Sequence, residues 1–332
     1  MSKNLRTIAL FAIVLSVWSS TWLAIRLGLE GVPPVTAAAF RMFASGVILL
    51  IVALALRAPW PRQRIYFVHL AVQGSLLFCF QYALLYWAEQ TVPSGLAAVL
   101  FATLPISTAI IAGYIFRIER MTSLNVLGLL LGFAGVAFIY WSEVINAAHA
   151  PAVGVAACLI AATGAAFATV FAKRYAQGIS PLATVGPGQL IGGTLLGIIA
   201  LIAEHGKPIH FTPVSAGALA FLTIFGSSIV FLAYFTLMQS IPVTRLSLLT
   251  YVTPVLAVVL GVIVAHEQFA PTTFLGAAVV FAGIWLVNKR PKPTVDAAPT
   301  RSALDVDRAR SGSEEPVERA AAGQPGQKRG EA

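Results

Sequence analysis

Apolar residues form long blocks along the first 288 positions of the chain, and short polar stretches separate these blocks. A helix needs about 20 apolar residues to cross the hydrocarbon core of a bilayer. Ten blocks have roughly that length, and they predict ten membrane-spanning helices near residues 6–26, 34–56, 66–88, 94–116, 123–141, 152–173, 182–203, 215–238, 243–265 and 271–288. The first block also fits a cleaved signal peptide. We favour a retained helix, because the internal repeat includes it.

The composition agrees with a membrane protein. Hydrophobic residues make up 58% of the chain and charged residues only 11%, against about 25% charged residues in soluble domains. Residues 1–288 contain six acidic side chains, all Glu, whereas residues 289–332 contain the other seven. This last segment is rich in Ala, Pro, Gly and charged residues, so it cannot bury a core. We expect it to be a disordered cytoplasmic tail.

The basic residues predict the orientation of the helices. With the N-terminus in the cytoplasm, thirteen Lys and Arg residues lie in or beside inner loops, and only Arg26 and Lys207 lie outside. Such an excess marks the cytoplasmic side, and an even number of spans returns the C-terminus there. The net charge of +9 does not indicate nucleic-acid binding, because the basic residues sit singly between apolar blocks. The expected partner is the lipid bilayer.

An internal repeat divides the chain into two units, residues 1–148 and 149–288. A shift of 148 residues places 113–135 over 261–283 with eight identities, four of which are Gly or Glu. A shift of 149 aligns Pro93 with Pro242 and Pro105 with Pro254. Each unit has five helices, so the second must enter the membrane from the opposite side. Two inverted five-helix repeats are typical of alternating-access carriers.

The repeated segments resemble the EamA-type carriers of the drug/metabolite transporter superfamily. They read LPISTAIIAGYIFRIERMTSLNVLGLLLGFAGV and TPVLAVVLGVIVAHEQFAPTTFLGAAVVFAGI, each with a Pro, a closing Glu and a Gly-containing helix that ends in GV or GI. The start, VWSSTWLAIRLGLEGVPPVTAAAFRMFASGVILL, is similar to that family's first two helices. The resemblance covers residues 6–288. It implies a ten-helix carrier of the bacterial inner membrane, usually an exporter of amino acids or other small metabolites.

Two prolines indicate where a substrate site would lie. Pro105 and Pro254 each come twelve residues after the proline that opens their helix, which places them about 18 Å along it and near the middle of the bilayer. A helix proline removes one N–H and frees the carbonyl four residues earlier. Symmetric kinks at this depth indicate a central site or a hinge, although bending for packing is an equally good explanation.

Aromatic and polar side chains recur at helical spacing on the third and eighth predicted helices. Tyr hydroxyls that faced lipid at this depth would lack partners, so these faces are expected to point inward. Packing between helices is the alternative role. The candidates for lining a substrate cavity on these two helices are Phe78, Gln81, Tyr82, Tyr86, Phe231, Tyr234 and Phe235. Trp18 and Trp22 on the first helix and Tyr251 on the ninth are further candidates.

Arg41 is the one charged residue well inside a predicted span. A central Arg costs about 2.5–3.5 kcal/mol on insertion scales, so it needs a partner. Binding a substrate carboxylate is one role. Reaching towards water or binding carbonyls of a neighbouring helix is the role we favour. No acidic residue lies at mid-span, and Glu89, near the outer face, is the candidate proton carrier. Transport without proton coupling and exchange remain alternatives.

Glu119 and Glu267 occupy equivalent places in the two repeats, but Arg117 and Arg120 flank only Glu119. The arginines therefore mark the cytoplasmic side. For the glutamates we favour a structural role, capping the N-termini of helices five and ten, over gating. The spaced glycines at 128–132 and 188–197 allow close helix approach. They predict packing within the fold, and a homodimer contact is the alternative.

Two other classes of function are less well supported by the residues. An intramembrane enzyme would need paired carboxylates, a Ser with a His, or an HExxH motif, and the sequence has no such set at mid-span. A receptor or scaffold acting through the tail would need a recognition motif there. Cys79 and Cys158 lack CxxC spacing, so no metal, disulfide or other cofactor is expected. A carrier that is not an enzyme is the predicted function, with a small solute as its partner.

Overall fold

The computed structural model describes residues 3–265 and 271–289, and all regular structure within them is helical. In the described part of the chain, ten apolar helices follow one another in the order that the hydropathy pattern predicts. They are α1 (Lys3–Gly28), α2 (Pro34–Ala55), α3 (Arg64–Ala88), α4 (Ser94–Phe101, Leu104–Ile110 and Ile111–Ile115), α5 (Ser123–Ile139), α6 (Ala152–Tyr175), α7 (Pro181–Ala203), α8 (Pro213–Ser240), α9 (Val243–Ser247 and Leu249–Ala265) and α10 (Pro271–Asn288).

Length and composition separate these helices into two groups. Within the described residues, seven helices contain at least 18 residues and are apolar enough to cross a membrane. The apolar stretches of α5, α9 and α10 are shorter. A short helix, Trp141–Ile145, and a 3-10 turn, Ala147–His149, connect α5 to α6, and the hydropathy pattern did not indicate either of them.

The middles of α3 and α8 share an irregularity that no sequence pattern indicated. Gln73–Phe80 of α3 and Ile224–Ile229 of α8 are wound as π-helix. Such insertions occur often at functional sites, because they change the direction of side chains and disturb the regular hydrogen bonding of the helix. The two segments occupy corresponding places in the two repeats.

Internal prolines lie in α4, α7 and α9, and they disturb the helix to different extents. α4 is interrupted at residues 102 and 103, just before Pro105. α9 is interrupted earlier, at Leu248, and continues through Pro254. The GPG sequence at 186–188 does not interrupt α7, which is continuous through Pro187. The carbonyl that Pro187 leaves free, that of Ala183, accepts a hydrogen bond of 2.7 Å from the Tyr66 hydroxyl.

Equivalent helices of the two repeats pack against each other in antiparallel pairs, α2 with α7 and α5 with α10. In the second pair Gly128 lies against Gly283, and Gly135 lies against Gly276. A Cβ atom on either α5 glycine would come within 2.7 Å of the facing glycine's carbonyl oxygen. The shift of 148 converts one contact into the other, as an approximate twofold axis requires. These glycines therefore pack helices within the fold.

The first helix of each repeat packs against the other repeat. α1 lies along α8 and α9, while α6 lies along α3 and α4. The result is two bundles with equivalent composition, which we call bundle A (α1, α8 and α9) and bundle B (α3, α4 and α6). A cavity lies between them.

Candidate functional site

The cavity has a volume of about 150 Å³, and every helix of both bundles contributes to its wall. An apolar cavity of roughly this volume in another protein holds a benzene-sized molecule. α2 adds a single side chain, that of Arg41. The wall consists of Trp18, Thr21, Ile25, Arg41, Leu77, Gln81, Tyr82, Leu85, Tyr86, Glu89, Phe101, Leu104, Ala165, Thr169, Phe231, Tyr234, Thr250 and Thr253.

Eight residues singled out from the sequence meet in this wall: Trp18, Arg41, Gln81, Tyr82, Tyr86, Glu89, Phe231 and Tyr234. Phe78 and Phe235 lie just behind it, because they pack against the rings of Phe231 and Tyr234 at centroid distances of 4.9 and 5.8 Å. Tyr251 lies elsewhere. Its hydroxyl donates to the carbonyl of Leu129 in α5 at 3.0 Å, and its ring rests on Gly132. The Trp22 side chain and Glu267 lie outside the described residues.

Aromatic rings form the apolar part of the wall. The Trp18 ring lies 5.9 Å from the Phe231 ring and 5.3 Å from the Tyr234 ring, and these contacts join α1 to α8. On the other side of the cavity the Tyr82 and Tyr86 rings are 6.1 Å apart. These distances are within the range of favourable edge and offset contacts. The rings present both apolar faces and hydroxyl groups to the cavity.

Arg41 is held from behind by α8. Its side chain is only 2% exposed. The Nε group donates to the Ser227 hydroxyl at 2.7 Å, and Nη2 donates to the Gly226 carbonyl at 2.9 Å. The guanidinium also lies 5.4 Å from the centre of the Tyr82 ring. Binding to a carbonyl of a neighbouring helix agrees with the role favoured from the sequence, yet the same side chain also faces the cavity.

A buried polar network that no sequence pattern indicated supports Arg41. Ser45, one turn after Arg41 on α2, donates to the side-chain oxygen of Gln189 at 2.6 Å and lies 2.8 Å from the Ser228 hydroxyl. Gln189 donates in turn to the Ser227 carbonyl at 3.2 Å. The network joins α2, α7 and the π-helical segment of α8, so it fixes the place of the guanidinium. The i, i+4 spacing of Arg41 and Ser45 was the available signal.

Arg41 has hydrogen-bonding capacity to spare. A guanidinium carries five N–H donors. Ser227 and Gly226 occupy two of them, and the Tyr86 hydroxyl is a further partner. Among the described residues no carboxylate forms an ion pair with Arg41. A buried guanidinium that faces a cavity with free donors is suited to an anionic group, because a carboxylate binds its N–H groups in a bidentate way.

Glu89 follows the last residue of α3 and borders the cavity near the end of the molecule where α1 finishes. Burial raises the pKa of its carboxyl group from 4.5 to about 7. A carboxyl group with this pKa exchanges its proton near neutral pH. No described residue forms a hydrogen bond or an ion pair with it.

Threonines add polar groups that the sequence did not single out. Thr21, Thr169, Thr250 and Thr253 all line the cavity. The Thr253 hydroxyl donates at 3.3 Å to the carbonyl of Thr250, which Pro254 leaves without its helical N–H partner. Thr169 belongs to α6, whose alanine-rich sequence has no polar face that predicts a cavity lining.

Glu119 caps a helix, although not the predicted one. Its carboxylate accepts hydrogen bonds from the backbone N–H groups of Val243 and Thr244, the latter at 3.2 Å, at the start of α9 in the other repeat. The cap of α5 is instead Thr122, whose hydroxyl accepts from the N–H of Asn125. Sequence neighbours suggested α5, whereas the packing of the repeats brings α9 closer.

Comparison with known proteins agrees with the repeat. The model of the EamA-like transporter family matches residues 5–141 and again 152–289. The "Uncharacterized inner membrane transporter YedA" of Escherichia coli (strain K12) is 32% identical over 283 residues, which cover 84% of this chain and 89% of that protein. The "Uncharacterized transporter YoaV" of Bacillus subtilis (strain 168) is 25% identical, with 81% of this chain and 92% of that protein covered.

A solved structure described as "Crystal structure of protein" matches with a TM-score of 0.71 over 87% of this chain and 98% of that chain. Its sequence identity of 18% makes this a similarity of fold alone. The two matches of the family model and the apolar helices that hold the cavity lead to one conclusion: the chain is a multi-pass membrane protein that belongs to the EamA-like transporter family.

Proposed function

We propose that the protein is a secondary transporter that carries small amphipathic metabolites, such as amino acids, by alternating access. The observation that carries this proposal is the cavity between two bundles that the inverted repeat makes equivalent. In such an arrangement the bundles rock against each other and expose the same site first on one side and then on the other. The relatives' names as transporters support the same function and do not favour an enzyme or a scaffold.

The wall of the cavity supports the proposed substrate class. Arg41 supplies donors for a carboxylate, the aromatic rings supply apolar contacts, and Glu89 supplies a carboxyl group that changes charge near neutral pH. A small molecule with a carboxylate and an apolar part matches these groups. Glu89 is the group through which a proton would be coupled to transport.

All ten helices cross the membrane in this proposal, with both termini in the cytoplasm of a bacterial inner membrane. Lys173 and Arg174 then mark the inner end of α6, and Arg26 lies at the outer end of α1. The direction of net transport is export.

The test is transport by the full chain in proteoliposomes, measured with a panel of radiolabelled amino acids. We expect saturable exchange of at least one amino acid, and a loss of at least about tenfold in Arg41→Gln, since one bidentate contact of a charged group accounts for roughly 1.5–3 kcal/mol. Thr236→Val, on α8 but outside the cavity wall, is the matched control and should transport normally.

Absence of flux across amino acids, nucleosides and related small carboxylates would contradict the carrier. Export is a separate expectation. Cells that overproduce the protein should resist toxic analogues of the transported solute, and increased sensitivity would indicate uptake instead.

A further inference from the structure

Two charged side chains join the bundles at one end of the molecule, where α4, α6 and α8 finish and α9 begins. Lys173 of bundle B donates from Nζ to the carbonyl oxygens of Met238 and Ile241 at the end of α8, the second at 3.0 Å. Glu119, after α4, accepts from the first N–H groups of α9. A cation at a helix C-terminus and an anion at a helix N-terminus both interact favourably with the helix dipole. We call these contacts the inner closure.

At the opposite end no hydrogen bond or ion pair among the described residues involves the Arg26 side chain. Ile25 near the end of α1 and Glu89 at the end of α3 border the cavity from opposite bundles. Arg26 is exposed there. The structure therefore closes the cavity at the Lys173 end and leaves a charged residue free at the Arg26 end.

The repeat makes Arg26 the counterpart of Lys173. The prolines that open α2 and α7, Pro34 and Pro181, are 147 residues apart (181 − 34). The two matches of the family model begin 147 residues apart (152 − 5). Arg26 and Lys173 are separated by the same 147 residues (173 − 26). Each is a basic residue in the last turn of the first helix of its repeat.

The end of α8, which Lys173 binds, has the end of α3 as its counterpart. The two ends differ in one way. Only Ile241 separates the last residue of α8 from Pro242, whereas the segment 89–92 separates α3 from Pro93. The longer segment begins with Glu89. A basic residue that reaches the end of α3 therefore meets a carboxylate as well as backbone carbonyls.

We propose that Arg26 forms an ion pair with Glu89, and that this pair closes the outer end of the cavity when the inner closure opens. The inference rests on the proposed function, because it describes the second of the two states that alternating access requires. Arg41 does not compete for this role, since Gly226 and Ser227 hold it inside the cavity. The two closures are related by the same axis that relates the repeats.

The test measures how fast a cavity residue is labelled from outside. Gln81→Cys is introduced into a chain with Cys79→Ala and Cys158→Ala, and intact cells are treated with a membrane-impermeant maleimide. Lys173→Ala removes a contact of the inner closure, so it should favour the outward-closed state and lower the labelling rate at least about threefold. Adding Arg26→Gln should restore the parent rate. Adding Glu89→Gln should do the same, and both together should have no further effect, because they remove one interaction.

Matched variants separate an ion pair from a general effect of charge. Lys207→Gln removes the other predicted outer basic residue, and Arg174→Ala removes the neighbour of Lys173, which lies over the Tyr175 ring. Neither of these substitutions should change the labelling rate of the introduced cysteine. Exchange of the two charges, Arg26→Glu with Glu89→Arg, should keep the low rate of the Lys173→Ala chain. Glu119→Gln provides a second way to weaken the inner closure if Lys173→Ala does not fold.

Several outcomes would overturn the proposal. One is a labelling rate that neither Lys173→Ala nor Glu119→Gln lowers. Another is a low rate that persists after Arg26→Gln, and a third is additive effects of Arg26→Gln and Glu89→Gln. Labelling of the same cysteine in inverted vesicles tests the proposed function separately. If the cysteine reacts from both sides in the parent chain but its labelling rate does not depend on Arg26, the ion pair is wrong. Alternating access is then still supported.

Discussion

The two charged residues in the cavity wall are stabilised in different ways. A guanidinium is not deprotonated in proteins, and α8 offers that of Arg41 a hydroxyl and a carbonyl from a π-helical segment. Glu89 has no such partner among the described residues, and burial raises its pKa to about 7. One charge is thus permanent and positioned, whereas the other is present or absent according to pH. A wall with these two groups can hold a carboxylate while a proton enters or leaves.

The raised pKa of Glu89 predicts a pH-dependent stability. Its folded value is about 7, against 4.5 for the free group, so the folded chain holds the proton more tightly. The stabilisation is complete below pH 4.5 and is lost as pH rises towards 7. Glu89→Gln should therefore raise the thermal unfolding temperature in detergent by a few degrees at pH 8 and change it little at pH 4.5.

Glu30→Gln is the control for this measurement, since Glu30 is exposed near the end of α1. It should change the unfolding temperature by the same amount at both pH values. An equal effect of Glu89→Gln at both pH values would show that Glu89 titrates as an ordinary surface carboxyl group.

Helix ends in this protein are stabilised by the other repeat. Glu119 caps α9 from the end of α4, and Glu204 caps α2 from the end of α7. The Glu204 carboxylate accepts from the N–H groups of Val35 and Thr36 at 3.0 and 2.8 Å and from the Thr36 hydroxyl at 2.7 Å. Each cap joins two elements far apart in sequence, so it fixes their relative position as well as satisfying free N–H groups.

Removal of the Glu204 carboxylate should destabilise the protein. Glu204→Ala leaves two N–H groups at the start of α2 without their acceptor, and we expect a cost of about 1–2 kcal/mol, the upper part of the range for helix caps. Glu204→Gln keeps an acceptor and should cost less. The measurement is thermal unfolding of the purified chain in detergent.

Lys207→Gln, in the same loop and exposed, is the matched control and should be neutral. If Glu204→Ala unfolds at the same temperature as Lys207→Gln, the carboxylate contributes nothing to the start of α2.

The whole molecule depends on close contact between the repeats. Glycines in α5 and α10 bring the two backbones together, and α2 and α7 approach in the same way where Gly46 lies against Leu190 and Gly193 against Phe43. Each pair contacts both bundles, because α2 packs against α3 and α8 while α5 packs against α4 and α9. In the proposed alternating access, the bundles would move without separating these paired backbones.

The α5 and α10 pair should not tolerate larger side chains. A Cβ on Gly135 would lie 2.6 Å from the backbone nitrogen of Val280, and the facing carbonyl cannot rotate away. Gly135→Val should cost about 1–3 kcal/mol or more through overpacking, and should reduce the monodisperse fraction in size-exclusion chromatography of the detergent-solubilised chain. Gly197→Val is the control, because nothing lies within 4 Å of a Cβ there. Equal monodisperse fractions for the two variants would show that the α5 and α10 backbones can move apart.

The sequence by itself determined the membrane location, the helix order and the repeat. The apolar blocks are long because lipid offers no hydrogen bonds to a backbone, and the glycines and prolines recur because both repeats build the same contacts. Eight candidate residues could be placed in the cavity wall because a helical period of 3.6 residues defines a face. The helical period does not determine which neighbouring helix such a face contacts.

Only the tertiary structure decided which elements meet. In the tertiary structure the first helix of each repeat packs against the other repeat, Tyr251 contacts α5, and Glu119 caps α9. The tertiary structure also wound α3 and α8 as π-helix and set Ser45, Gln189 and Ser227 behind Arg41. These features depend on contacts between residues far apart in the chain. A local pattern of apolar and polar positions has no information about such contacts, because it is the same whichever partner a helix finds.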